Sequence, residues 1–178
     1  VMTKKNVPIL SSKTLVIGYK KQSVKSVIAK DLDLELPGGE LVCLLGKNGI
    51  GKSTLLRTLT GVQPALAGEI RLKETLLQEI TRQQVARKIA VVLTEKPETG
   101  NFSVYELVAL SRHPYTNWMG TLKKEDKKEI ELALEQTDLS VLRDRKVDEL
   151  SDGQLQRVMI CRALAQNTEL IILDEPTA

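Results

Sequence analysis

The run Gly46-Lys47-Asn48-Gly49-Ile50-Gly51-Lys52-Ser53-Thr54 fits the spacing G-x-x-x-x-G-K-[ST]. Glycines at these positions let successive backbone N–H groups turn inward around an anion. A helix that starts at the lysine adds the partial positive charge of its N-terminus. The Lys52 ammonium is expected to bridge the β- and γ-phosphates of a nucleoside triphosphate, and the Ser53 hydroxyl to ligate Mg²⁺. The motif carries this meaning only between an apolar strand and a helix. Leu41 to Leu45 before it is apolar throughout, and Lys52 to Leu59 after it has helical character.

Two further stretches could do chemistry. Leu170-Ile171-Ile172-Leu173 reads as a buried strand that ends in Asp174 and Glu175. Two carboxylates are expensive to leave unpaired in a core, so the end of a strand beside a phosphate site gives them a use. Asp174 suits the magnesium and Glu175 the role of general base toward an attacking water. Leu150-Ser151-Asp152-Gly153-Gln154 is, taken alone, an ordinary capping box of Ser151 with Gln154. A capped helix N-terminus is also an anion site, so the structural and the functional readings are compatible.

The elements that must position these groups follow from pattern. Ile9 to Ile17 is apolar-rich, and Leu32, Leu34 and Leu36 alternate with Asp31, Asp33 and Glu35, the period of a half-exposed strand in an antiparallel sheet. Pro37-Gly38-Gly39 marks a turn, and Leu41 to Leu45 has the composition of a strand buried on both faces. Glu69 to Leu72 and Ile89 to Leu93 are further strands, and Thr81-x-x-Gln84 and Ser103-x-x-Glu106 are capping boxes. Thr121 to Gln136 is a charged helix with Ile130, Ala133 and Leu134 on one face. Residues 95–150 therefore read as a helical insertion, after which a helix from Gly153 to Ala165 leads to the acidic strand.

Composition narrows the class. A chain of 178 residues with 42% hydrophobic and 28% charged residues suits one domain with a sizeable core. The formal net charge of +3 shows no concentrated basic face, which argues against nucleic acid as a partner. Cys43 and Cys161 both sit in apolar runs and are expected as buried free thiols, as in a reducing compartment. No run approaches the roughly 18 apolar residues of a membrane span, and no apolar signal segment precedes the first charges. The expected location is the cytoplasm, with any membrane contact made through a partner.

The order of the three motifs resembles the ATP-binding cassette (ABC) ATPase family, whose signature reads Leu-Ser-Gly-Gly-Gln where this chain has Leu150-Ser151-Asp152-Gly153-Gln154. The resemblance implies an α/β P-loop NTPase fold with an N-terminal antiparallel β subdomain and an inserted α-helical subdomain. It also implies ATP and Mg²⁺ as ligands, and ATP hydrolysis coupled to transport. Two copies would join head to tail, with Ser151, Asp152, Gly153 and Gln154 closing on the γ-phosphate held by the partner's P-loop. Gly46, Asn48, Gly49, Gly51, Lys52, Ser53 and Thr54 would hold the phosphates. Tyr19, near the end of an early strand, stands where the family places an aromatic against adenine. Tyr105-Glu106-Leu107-Val108 followed by Arg112-His113-Pro114-Tyr115 resembles the importers of iron-siderophore complexes, haem and cobalamin, whose helical subdomain docks on a membrane permease. The subunit would then be peripheral on the inner face of the membrane.

Besides Asp152 in place of the signature's first glycine, a substitution the family tolerates, the chain departs from that pattern in two places. Thr94, followed by Glu95, stands where the family has a glutamine that contacts the metal, so a metal role for Thr94 is in doubt. The family continues past Ala178 with an aspartate-bearing loop and a strand ending in a histidine that senses the γ-phosphate. The 178 residues hold only His113, in the helical insertion, read as a surface or partner-facing residue. The chain thus reads as one C-terminally truncated cassette with its last strands missing, and the 178-residue chain is expected to be inactive or nearly so. The alternative is a soluble ABC switch of the translation or repair type. A P-loop kinase or GTPase would leave Ser151 to Gln154 unexplained, and the guanine-reading Asn-Lys-x-Asp is absent.

Overall fold

The computed structural model describes residues 7–21, 24–93 and 100–175. The chain forms two compact units, residues 1–85 and 86–178.

The first unit is built on an antiparallel sheet. Strands β1 (Leu10–Lys21), β2 (Val24–Leu36), β3 (Ala67–Leu72) and β4 (Thr75–Leu76) lie in the order β2-β1-β3-β4. Leu32, Leu34 and Leu36 are half-buried while Asp31, Asp33 and Glu35 between them are exposed, which is the alternation read from the sequence. Leu10, Leu15 and Ile17 of β1, with Ile70 and Leu72 of β3, form the buried side. Helix α1 (Lys52–Leu59) packs on β1 and buries Thr54, Thr58 and Leu59. The short helix α2 (Arg82–Ala86) spans the boundary along the chain between residues 85 and 86. Thr81 and Gln84 cap it reciprocally, with Gln84 N–H donating to Thr81 Oγ1 at 3.2 Å and Thr81 N–H donating to Gln84 Oε1 at 2.8 Å.

The second unit holds a parallel pair, β5 (Ile89–Val92) and β6 (Leu170–Leu173). Helices α3 (Val104–Ala109), α4 (Lys124–Gln136) and α5 (Asp152–Ala165) surround one apolar cluster. Ile130, Ala133 and Leu134 of α4 point into it, as the helical spacing requires, together with Val108 of α3 and Val158 and Cys161 of α5. Burying leucines of this kind contributes about 1.5–3 kcal/mol each relative to exposure. On its other side α5 sets Ala163 against Ala90 and Val92 of β5. Helix α3 starts with a complete capping box. Its Glu106 carboxylate accepts from the Ser103 N–H at 2.7 Å. That backbone bond, then the Ser103 hydroxyl, hold the Glu106 carboxyl below its usual range. The Cys161 thiol is buried as expected, and desolvation pushes it up from its ordinary value.

One segment does not follow its pattern. Leu41 to Leu45 belongs to neither sheet, and Leu41 and Leu45 are 93% and 88% exposed. Cys43 within it is exposed as well, against the expectation of a buried thiol. An apolar run becomes a buried strand only when flanking strands take up its backbone N–H and C=O groups and a face covers its side chains. Among the described residues the parallel sheet consists of β5 and β6, and residues 41–45 have no ladder partner. Within β6 itself only Ile172 is buried, while Ile171 and Leu173 are 37% and 40% exposed, so this strand is less covered than its composition suggests.

Candidate nucleotide site

The loop of residues 46–51 runs directly into α1, which meets the motif's requirement on the helix side, whereas residues 41–45 before it belong to neither sheet, against the expected strand. Gly51 is the N-cap of α1 at φ 109°, in the left-handed region, and a Cβ there would collide with Cγ2 of Ile28. Both the backbone angle and the neighbour therefore demand glycine. Gly49, at φ 79°, makes the preceding turn with open space on its Cβ side. The Lys52 ammonium folds back over the loop, donating to Gly46 O at 2.9 Å, Lys47 O at 3.2 Å and Asn48 Oδ1 at 3.5 Å.

Helix α1 has no side-chain cap, whereas α3 and α5 both carry capping boxes. The first N–H groups of an α-helix have no partner within it and are met by a capping side chain, by water or by a ligand. A cation laid over a loop of turned glycines, at a helix start with no capping side chain, is a fit for phosphate.

Tyr19 lies on β1 opposite Ser26 and is about half exposed, which leaves a ring face accessible. Its hydroxyl shares a 3.0 Å hydrogen bond with Thr54 Oγ1. Thr54 is buried, and Ser53 beside it is half-buried. The structure thus brings Tyr19 to the first turn of α1, a contact that sequence spacing does not reveal. Replacing Tyr19 by alanine should weaken nucleotide binding by ~1–3 kcal/mol, the range for a base stacked on an aromatic. Phenylalanine, which keeps the ring and loses the hydroxyl, should recover most of that affinity in titration calorimetry.

In the second unit, β6 delivers Asp174 and Glu175 at its end. The Asp174 N–H donates to Val92 O at 2.9 Å, extending the β5–β6 ladder by one bond, and Asp174 is 3% exposed. Glu175 is exposed and adopts φ 49°. A left-handed non-glycine residue costs on the order of 1 kcal/mol and turns the chain sharply away from the strand direction. The two adjacent carboxylates therefore have different surroundings, one buried and one exposed.

Ser151 caps α5. Gln154 N–H donates to Ser151 Oγ at 3.3 Å, and Ser151 N–H donates to Gln154 Oε1 at 3.0 Å. Ser151, Asp152 and Gly153 are exposed, and a Cβ at Gly153 would meet nothing within 4 Å. Thr94 and Glu95 lie outside the described residues. His113 is exposed.

An antiparallel β layer, a glycine-rich loop opening a helix, and a parallel pair ending in carboxylates define a P-loop nucleotide-binding fold of the cassette type. A family model described as "ABC transporter" matches residues 29–178, and the chain belongs to that family. Among curated relatives, the iron(3+)-hydroxamate import ATP-binding protein FhuC of Bacillus subtilis is 39% identical over 169 residues, spanning 94% of this chain and 61% of that protein. The ferric enterobactin transport ATP-binding protein FepC of Escherichia coli is 38% identical over 168 residues, spanning 94% of this chain and 60% of that protein. A solved inward-facing metal-chelate type ABC transporter matches with TM-score 0.77 at 31% identity, over 95% of this chain and 61% of that one. A dimeric bacterial ABC transporter cassette matches with TM-score 0.78 at 26% identity, over 94% of this chain and 74% of that one. The chain thus spans about three-fifths of the length of such curated relatives.

Proposed function

We propose that this chain is the ATP-binding part of an ABC transporter ATPase subunit that binds MgATP and, in the whole protein, hydrolyses it to drive import. The observation that carries the reading is the Lys52 ammonium folded over the loop of residues 46–51 at a helix start with no capping side chain. In this reading residues 1–178 are one cassette, with residues 95–150 a helical subdomain inside it.

Tyr19 stacks on adenine. Gly46, Asn48, Gly49, Gly51 and Thr54 shape or line the phosphate loop, and Lys52 holds the β- and γ-phosphates. Ser53 and Asp174 supply hard oxygen donors of the kind magnesium takes, and the ion when bound neutralises charge on the phosphates. Glu175 accepts the proton of the attacking water. Ser151, Asp152, Gly153 and Gln154 at the start of α5 close on the γ-phosphate of a second copy: the Ser151–Gln154 capping box shapes the turn, and Ser151, Gly153 and the helix N-terminus meet the anion. Closure of such a pair is a two-state switch biased by the γ-phosphate, and hydrolysis resets it.

The names of relatives that handle iron(3+)-hydroxamate and ferric enterobactin support an iron-chelate cargo, with haem or a cobalamin-type ligand in the same class. The partners are a second ATPase copy and a membrane permease, at the inner face of the cell membrane. Among the described residues no helix is long and apolar enough to cross a membrane, so contact with the bilayer would run through the permease.

Titration calorimetry with MgATP and MgGTP on the full-length protein tests the nucleotide reading. Mg-dependent binding that favours ATP is the expected result. Equal affinity for both nucleotides would remove the preference for adenine but not the stacking role of Tyr19, since every base has a π-face, and no binding would overturn the nucleotide reading. Co-purification with a permease separates the transporter from a soluble switch.

A further inference from the structure

Arg112 is a charged residue in the core of the second unit, 6% exposed, with its partner Asp126 at 3%. Its Nε donates to Asp126 Oδ1 at 3.0 Å. Its Nη1 donates to the carbonyls of Ala165 and Gln166 at 3.0 and 3.1 Å. These are among the last carbonyls of α5, where a cation complements the helix dipole. The guanidinium also lies 4.0 Å from the ring centroid of Tyr115. The Tyr115 hydroxyl in turn shares its one proton between Arg87 O at 3.3 Å and Asn167 O at 3.4 Å. The other Asp126 oxygen accepts from the Lys123 N–H at 2.9 Å, capping α4. Gln166, next to the clamped carbonyl, donates through Nε2 to Ile89 O at 3.0 Å at the head of β5.

One planar side chain therefore ties the start of α4 to the end of α5. Helix α5 is a rod of 14 residues with Ser151 at its solvent-exposed end. Its far end runs through residues 166–169 into β6 and the carboxylates. A small tilt at the clamped end displaces the exposed end, because a helix of this length spans about 21 Å and moves as a unit. A buried ion pair contributes little net stability compared with apolar residues of similar volume, so stability alone is a weak account of this one.

We propose that Arg112, held by Asp126, is a positioning residue that sets the orientation of α5 and so presents Ser151 to Gly153 to the nucleotide on a second copy of the chain. The inference rests on the proposed role of Ser151 to Gln154 in the paired state.

The test uses the full-length protein carrying Glu175→Gln, which should form an ATP-dependent dimer in analytical ultracentrifugation. Adding Arg112→Lys keeps the charge but loses the planar fork that serves Asp126 and both carbonyls at once. The expected result is dimerisation weakened by about tenfold or more, as misplacement of a distant support can do, with ATP affinity of the monomer unchanged. A second variant, Arg112→Met with Asp126→Leu, replaces the pair by apolar side chains and also gives up the α4 cap and the two α5 carbonyl partners; with circular dichroism matching the parent, it is expected to show the same loss of dimerisation. If either folded variant dimerises as the parent does, the positioning role is wrong. Equal losses in dimerisation, ATP affinity and melting temperature would also overturn it, since they report only general destabilisation. A Glu175→Gln parent that binds ATP but does not dimerise would sink the paired-site reading, and this inference with it.

Discussion

Lys52→Ala in the full-length protein is expected to abolish tight ATP binding. In this structure the ammonium donates to two loop carbonyls and lies within reach of the Asn48 side chain, the central place in the cradle. Phosphate oxygens can replace those acceptors with charge-assisted bonds, each worth about 1.5–3 kcal/mol. Losing two of them corresponds to a loss of at least a hundredfold in affinity, by about 1.4 kcal/mol per decade. The substitution leaves the glycine turns intact, and alanine is the better helix former at the start of α1. Circular dichroism should therefore match the parent while calorimetry shows the loss. Unchanged affinity in a folded variant would defeat the assignment of the loop.

The second large effect separates binding from chemistry. Glu175→Gln should bind MgATP as the parent does and lower turnover by ~10²–10⁴-fold, the usual contribution of a positioned general base. Glutamine has nearly the same shape and cannot accept the proton of water. Glu175 is exposed at a left-handed turn after β6, so the exchange disturbs no buried contact. Asp174 is buried beside it, and its replacement should act on metal-dependent binding instead. Single-turnover measurements on the full-length protein distinguish the two, and normal hydrolysis by the Glu175 variant would remove its role as base.

The parts of the molecule that were legible in the sequence are those governed by neighbours along the chain. The capping boxes at Thr81, Ser103 and Ser151 form as read, because their partners lie three residues away. The alternation at Leu32, Leu34 and Leu36 and the apolar face of α4 appear as expected, since period alone decides which side chains share a face. The helical start at Lys52 and the strand before Asp174 were equally plain. Leu41 to Leu45 was not, although its composition is that of a core strand, because composition supplies no hydrogen-bond partner.

Arg112 and Asp126 show the same limit from the other side. The sequence sets Arg112 in a polar stretch before a proline and Asp126 in a charged helix, where solvent is the default expectation, yet both are buried against each other. No pattern could announce it, since their meeting depends on how the turn of residues 110–115 and α4 pack beside the end of α5. The bond between Tyr19 and Thr54, 35 positions apart, is of that kind too. The sequence by itself determined the chemistry available, through residue type and short spacing: a glycine-rich loop with a lysine at a helix start, a capped helix start and a carboxylate pair at a strand end. Tertiary structure alone decided which polar groups lose water, which apolar run finds a partner and which helix end is clamped. Desolvation and sheet pairing depend on segments distant along the chain, and local pattern carries no record of them.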